Sequence, residues 1–215
     1  MGRVLAPTRL VAALKRHPRR LAGAAFAAAL LLSLPSLAGG FVLDDWVHLY
    51  GARGFPGIAG GLSLFDFTPT EPGQLQAWIA RGPYPWWTNP DFRIRFFRPL
   101  SSALIQGDNA LFGGAAVLYH AHSIAWGLAL VAAGWLVYRR LLPGLTGAVA
   151  LCFFALSEAH WLPTVWLASR NTLVAAVPAL LGFAAHLRWR RDGWRWGAPL
   201  TALGYPVGHA RGETA

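Results

Sequence analysis

Long apolar runs decide the class of this chain before any motif is considered. The first, "LAGAAFAAALLLSLPSLAGGFVL" (residues 21–43), carries no charged residue. A helix needs about 20 such residues to cross the hydrocarbon core of a bilayer. Comparable runs follow at about 110–138, 145–163 and 166–187, with a partial fifth at about 196–210. The predicted fold is all-α: a polytopic transmembrane helix bundle of four spans plus a partial fifth. Residues 1–20 form a basic tail ahead of it, and 21–215 form the transmembrane domain. Composition agrees, because 55% of the 215 residues are hydrophobic and only 13% are charged, against roughly 25% charged in soluble domains.

The net charge of +10 would point to nucleic acid in a soluble chain. Here the arginines flank the apolar runs in short clusters, so membrane topology explains them and no nucleic-acid partner is expected. Arg3, Arg9, Lys15, Arg16, Arg19 and Arg20 precede the first span. Arg139 and Arg140 close the second, and "RWRRDGWRW" (188–196) closes the fourth. The positive-inside rule places all three clusters in the cytoplasm, so the N-terminus is inside. The long 44–109 segment and the turn near 157–165 then face outward. Asp44, Asp45, Asp66, Glu71, Asp91, Asp108 and Glu158 all fall on that outer side, leaving only Asp192 and Glu213 of the nine acids elsewhere. A signal peptide cut near Ala38 is the rival reading of the first run, but the run continues through Phe41, Val42 and Leu43, which favours an uncleaved anchor with a kink at Pro35. The single cysteine, Cys152, has no disulfide or metal partner in sequence and reads as a small core residue.

The outer segment is too aromatic and too poor in Ser, Lys and Glu to be disordered. Trp86, Trp87, Phe92, Phe96 and Phe97 suit the headgroup region, and Arg93, Arg95 and Arg98 are interleaved with them. A short interfacial helix is predicted over Glu71–Ala80. The segment reads as a folded periplasmic first loop.

Polar residues with chemical content gather at the outer face. In "FVLDDW" (41–46), adjacent side chains point in different directions, so one carboxylate can face a cleft while the other faces water or caps a helix. A carboxylate there serves as a general base or as an oxygen ligand to a cation; a solvated or capping pair is the plainer alternative. Arg98 and Asp108 flank the start of the second span, where a boundary arginine and a capping aspartate are ordinary. His120 and His122, two apart, share no helix face, which argues for hydrogen bonds to neighbouring helices over a two-histidine metal site. "SEAHW" (157–161) carries Glu158 and His160 in the outer turn. Arg170 and Asn171 of "SRN" follow, and an arginine at that depth requires an acid, a carbonyl or a phosphate as partner.

Taken in order, "FVLDDW", "RFFRPL", "YH" and "SEAHW…VWLASRN", covering about 38–187, resemble the GT-C class of membrane glycosyltransferases, in particular the bacterial protein-mannosyltransferase-like and aminoarabinose-transferase-like branch. The resemblance implies transfer of a sugar from a polyprenyl-phosphate-linked donor at the periplasmic face of the bacterial inner membrane, usually with inversion. It makes Asp44 and Asp45 the catalytic carboxylates, with a divalent cation (Mg or Mn) as a further requirement, held by Asp45 and His160. Arg98, Glu158, His160, Arg170 and Asn171 become donor- or substrate-binding residues, Arg170 for the donor phosphate. Members of the class are longer and have more spans, so the chain is expected to be the N-terminal part of such an enzyme: a fragment, a truncated gene product, or one half of a split protein with a C-terminal partner chain. A non-catalytic membrane scaffold or lipid-carrier-binding subunit that kept the fold is the alternative. Partners on either reading are the lipid bilayer and the polyprenyl-phosphate sugar.

Overall fold

A computed structural model of the protein describes residues 16–209, except 70, 72 and 83, together with 212–213, and the side chains through residue 204. The first fifteen residues of the basic tail and the last residue of the expected fifth segment lie outside the described residues. The regular structure of the described residues is helical apart from a two-residue antiparallel pairing of Phe96–Phe97 with Gly212–Glu213. Three helical stretches are long and apolar enough to cross a membrane: 18–38, 116–141 and 167–192. A fourth span arises if the bent pair 145–155 and 158–165, which meet at 48°, crosses as one.

Helix α1 (Pro18–Ser33) starts on a proline at its first position, where no amide hydrogen is needed. Pro35 then tightens the chain into a 3-10 turn over Leu34–Ala38, so the span ends at Ala38, short of the expected Leu43. Helix α2 (Asp44–Ala52) begins the 44–109 segment, which folds as a cap on the bundle. Helix α3 (Gln74–Arg81) matches the short helix expected over Glu71–Ala80, shifted by a few residues, and runs between Gly73 and Gly82, both at positive φ. Helix α4 (Pro99–Phe112) is separated from α5 (Ala116–Leu141) by a break at Gly113, φ +57°. The second span therefore starts at Ala116, and Ala110 belongs to a helix of the cap. At 26 residues, α5 is roughly 39 Å long, enough to cross the hydrocarbon core with some tilt. Helices α6 (Leu145–Ala155) and α7 (Glu158–Val165) follow, then a 3-10 turn over Leu167–Arg170, α8 (Asn171–Asp192) and α9 (Gly197–His209).

The bundle packs on small residues. Ala22 and Ala25 of α1 bury against Val131 of α5 and Leu151 of α6, and Leu130 of α5 buries against Leu173 and Val177 of α8. Lipid gives no hydrophobic drive between helices, so close backbone approach through small side chains carries this association. The α8–α9 hairpin shows it most directly: a Cβ on Gly204 would lie 2.6 Å from the Pro178 carbonyl oxygen and 2.8 Å from Gly182 Cα. Large apolar side chains such as Leu31, Phe153 and Leu203, all more than 60% exposed, cover the perimeter, as a lipid-facing surface requires. The cap has its own core of Leu64, Phe65 and Ile105. Its join to the bundle is Leu49, Tyr119 and Leu167.

Candidate functional site

The acidic pair divides as neighbouring helical residues must. Leu43 sits at φ +47°, the sole non-glycine residue with positive φ among those described, and this strained turn swings the chain from the first span into α2. Asp45 is then buried. Its Oδ2 accepts from the Val42 amide at 3.0 Å and its Oδ1 from the Ala168 amide at 2.8 Å, tying the turn after the first span to the 3-10 turn before α8. Burial pushes the Asp45 carboxyl above its ordinary value, and the two backbone hydrogen bonds pull it back. Asp44, about 100° around the helix, is exposed at the first turn, where the helix dipole favours negative charge. It makes no hydrogen bond or ion pair to another described residue.

Asp44 faces a cleft of about 710 Å³ between α2 and the loops of the cap, lined also by Asp66, Glu71, Gln74, Trp78 and Tyr84. Asp66 is committed: it pairs with Arg95 at 3.0 Å and accepts from the Thr68 hydroxyl and amide, each at 3.3 Å. Tyr84 donates to the Phe67 carbonyl at 2.6 Å and stacks on Trp78, ring centroids 6.1 Å apart. Burial raises the Tyr84 hydroxyl and the nearby Asp66 raises it further, so the phenol stays a donor. A carboxylate, a second acid, an amide and a stacked aromatic wall in one cleft are groups suited to hydroxyl-rich ligands. Behind the cleft, His48 is buried against Phe65, donating from Nδ1 to the Leu64 carbonyl at 2.9 Å.

Beneath Asp45 the "SRN" segment forms a clamp. Arg170 is 2% exposed and its Nη2 meets Asp108 Oδ2 at 2.5 Å. The other Asp108 oxygen lies 2.7 Å from His122 Nδ1. Trp126 donates to His122 Nε2 at 3.0 Å. An indole only donates, so Nε2 is bare, Nδ1 carries the proton, and His122 donates it to Asp108. Asn171, its amide oriented by its partners, donates to the Ala168 and Ser169 carbonyls and accepts from Arg98 Nη1 at 3.1 Å. The Arg98 guanidinium also lies over Phe96 and Phe65, 4.4 and 5.0 Å from the ring centres. His120 contacts the Gly40 carbonyl at 3.3 Å.

The structure thus brings Asp45, Arg98, Arg170 and Asn171 into one region and sets Asp44 on the cleft beside it. Glu158 and His160 lie apart. They border an apolar crevice of about 310 Å³ lined by Ala29, Leu32, Ile124 and Leu128. There the Thr164 hydroxyl bonds the His160 carbonyl at 2.7 Å, and the His160 ring packs on Phe154, centroids 4.3 Å apart. Asp45 and His160 border different cavities, and no three His, Cys, Asp or Glu side chains among the described residues are grouped to hold a metal. Sequence reasoning overlooked the lining of the cleft. Its signal was the alternation of acids and aromatics in "LFDFTPTE" (64–71), in a loop without period. It also read Asp108 as a cap, whereas it is the counter-ion of Arg170.

No family model, curated protein or solved structure matches this chain.

Proposed function

We propose that the chain is a membrane glycosyltransferase that moves a sugar from a polyprenyl-phosphate-linked donor to an acceptor hydroxyl, at the periplasmic face of a bacterial inner membrane. The observation that carries the reading is the division of labour in the acidic pair: Asp45 is consumed by two backbone amides, while Asp44 stands unpartnered in a cleft furnished with an amide, an acid and stacked aromatics. In the proposed step the acceptor oxygen attacks the anomeric carbon. The bond from that carbon to the phosphate oxygen breaks, and the phosphate leaves with the bonding pair. Asp44 takes the hydroxyl proton, and the anomeric configuration inverts. Asp45 is a positioning residue: it fixes the first turn of α2 and with it the direction of the Asp44 carboxylate. Arg170 is likewise assigned to positioning, because its guanidinium is occupied by Asp108. Glu158 and His160, at the edge of an apolar crevice, are assigned to the lipid end of the donor.

The test is transfer from a panel of polyprenyl-phosphate sugars by the chain reconstituted in lipid. Asp44→Asn should lose on the order of 10²–10⁴ in rate, the usual contribution of a general base, while stability falls by no more than about 1 kcal/mol, the helix-dipole contribution of an exposed first-turn acid. Full transfer by Asp44→Asn would sink the assignment. If the unaltered chain binds donor without transferring it, the non-catalytic carrier-binding reading takes its place.

A further inference from the structure

At the end of the bundle opposite the cleft, α5, α8 and α9 enclose a groove that the glycosyltransferase reading does not use. Its volume is about 500 Å³. Pro178, Leu181, Gly182 and Ala185 of α8 form its floor, Leu136 of α5 one wall, and Leu200 and Leu203 of α9 the other. Arg139, Arg140 and Arg188 stand at its mouth. The Arg188 guanidinium is held there against Trp194, 4.2 Å from the ring centre. Of the three, Arg140 has an acid partner, Asp192 at 2.7 Å. Arg139 is exposed with no acid beside it among the described residues.

The groove has the shape of one lipid in one leaflet. Arg188 and Pro178 are ten residues apart on α8, roughly 15 Å along a helix, and half of a hydrocarbon core about 30 Å thick is the same length. Cations at the mouth, a tryptophan at headgroup depth and aliphatic walls below are complementary to an anionic headgroup above acyl chains. Basic pockets between transmembrane helices take such lipids. Leu203, 64% exposed, and Leu181, 44% exposed, leave the walls open to lipid. Close α8–α9 contacts at Gly197, Gly182 and Gly204 hold α9 against α8, and the space between α9 and α5 stays open.

We infer that this groove binds an anionic phospholipid, headgroup phosphate on Arg139 and Arg188 and acyl chains along Leu181, Leu200 and Leu203. The full chain is reconstituted in phosphatidylcholine nanodiscs containing a minority of phosphatidylglycerol, and retained lipids are counted by native mass spectrometry after release. Phosphatidylglycerol should be enriched over its share of the disc. Arg139→Gln with Arg188→Gln should lower that enrichment by on the order of fivefold per arginine, from about 1 kcal/mol each. Leu203→Trp, which fills the groove and keeps every charge, should lower retention as well. Arg190→Gln with Arg195→Gln, exposed at the same end but outside the groove, should leave it unchanged. Equal loss in that control pair would reduce the effect to diffuse charge and overturn the site. Unchanged retention in Leu203→Trp would do the same, as would release of the lipid by inorganic phosphate alone, which would mark a phosphate site in place of a lipid site.

Discussion

The ion pair of Arg170 with Asp108 allows a quantitative trial of the clamp. The two groups meet at 2.5 Å with side chains each 3% exposed, 62 residues apart in sequence, between the cap helix α4 and the turn before α8. Removing one partner of a buried pair typically costs about 3–5 kcal/mol, because the survivor is left charged and dry. Arg170→Met should pay that cost nearly in full. Asp108 would keep only the His122 hydrogen bond, and the apolar joint of Leu49, Tyr119 and Leu167 offers it no other cation. Asp108→Leu strands the guanidinium and deprives His122 of its acceptor, so its cost should be similar. The double variant strands neither charge. Its destabilisation should fall short of the sum of the singles by roughly 2–3 kcal/mol, a coupling expected of residues in direct contact. The measurement is equilibrium unfolding in mixed detergent micelles, with proteolysis of the 166–171 turn as a local readout. A double variant whose loss equals the sum of the singles would show that the two groups do not depend on each other. An Arg170→Met protein within about 0.5 kcal/mol of the parent would release the arginine for a phosphate and refute its positioning role.

Three further outcomes follow from the geometry. Asp45→Ala removes the acceptor of two backbone amides and should destabilise by about 2–4 kcal/mol, with hydrogen exchange at Ala168 accelerated; unaltered exchange there would contradict the latch. Burial lowers His48 from 6.5 to about 4, so the folded protein holds it neutral while the unfolded chain protonates it below 6.5. Stability from this group is present above pH 6.5 and should fall by roughly 3 kcal/mol as pH drops through the window down to 4. His48→Gln should flatten that acid limb, and a limb of undiminished slope would assign it elsewhere. A Cβ at Gly127 would lie 2.6 Å from the Thr164 hydroxyl oxygen and 2.9 Å from its methyl, so Gly127→Ala should cost about 1–3 kcal/mol. Thr164→Ala in the same chain should recover most of it, and thermal unfolding that shows no recovery would place the clash on backbone.

What was legible in the sequence and what was not follows from how far each interaction reaches. The spans were readable because twenty apolar residues admit few alternatives in any context. Their ends were less so. "LFGGAAV" (111–117) reads as continuous apolar sequence until Gly113 takes a left-handed turn, and Leu156–Ser157 breaks the third run with no proline or glycine to announce it. The divergence of Asp44 and Asp45 followed from helix geometry alone, since neighbours on a helix are 100° apart. Which of the two faces the cleft did not follow, because the deciding partner is the amide of Ala168, 123 residues away, and a backbone amide leaves no mark in a sequence. The same argument separates Arg170 from its expected phosphate. That a buried arginine needs an acid, a carbonyl or a phosphate was a local inference; that the partner is Asp108 depended on α4 being a helix of the cap. Glu158 and His160 were expected on the same side as Asp44 from the charge pattern, yet that pattern fixes only height across the bilayer. The bend between α6 and α7 turns them toward α1, on the far side of α5 from the Asp108 clamp, so a site reasoned from height alone joined residues that the packing of α1 and α5 keeps apart.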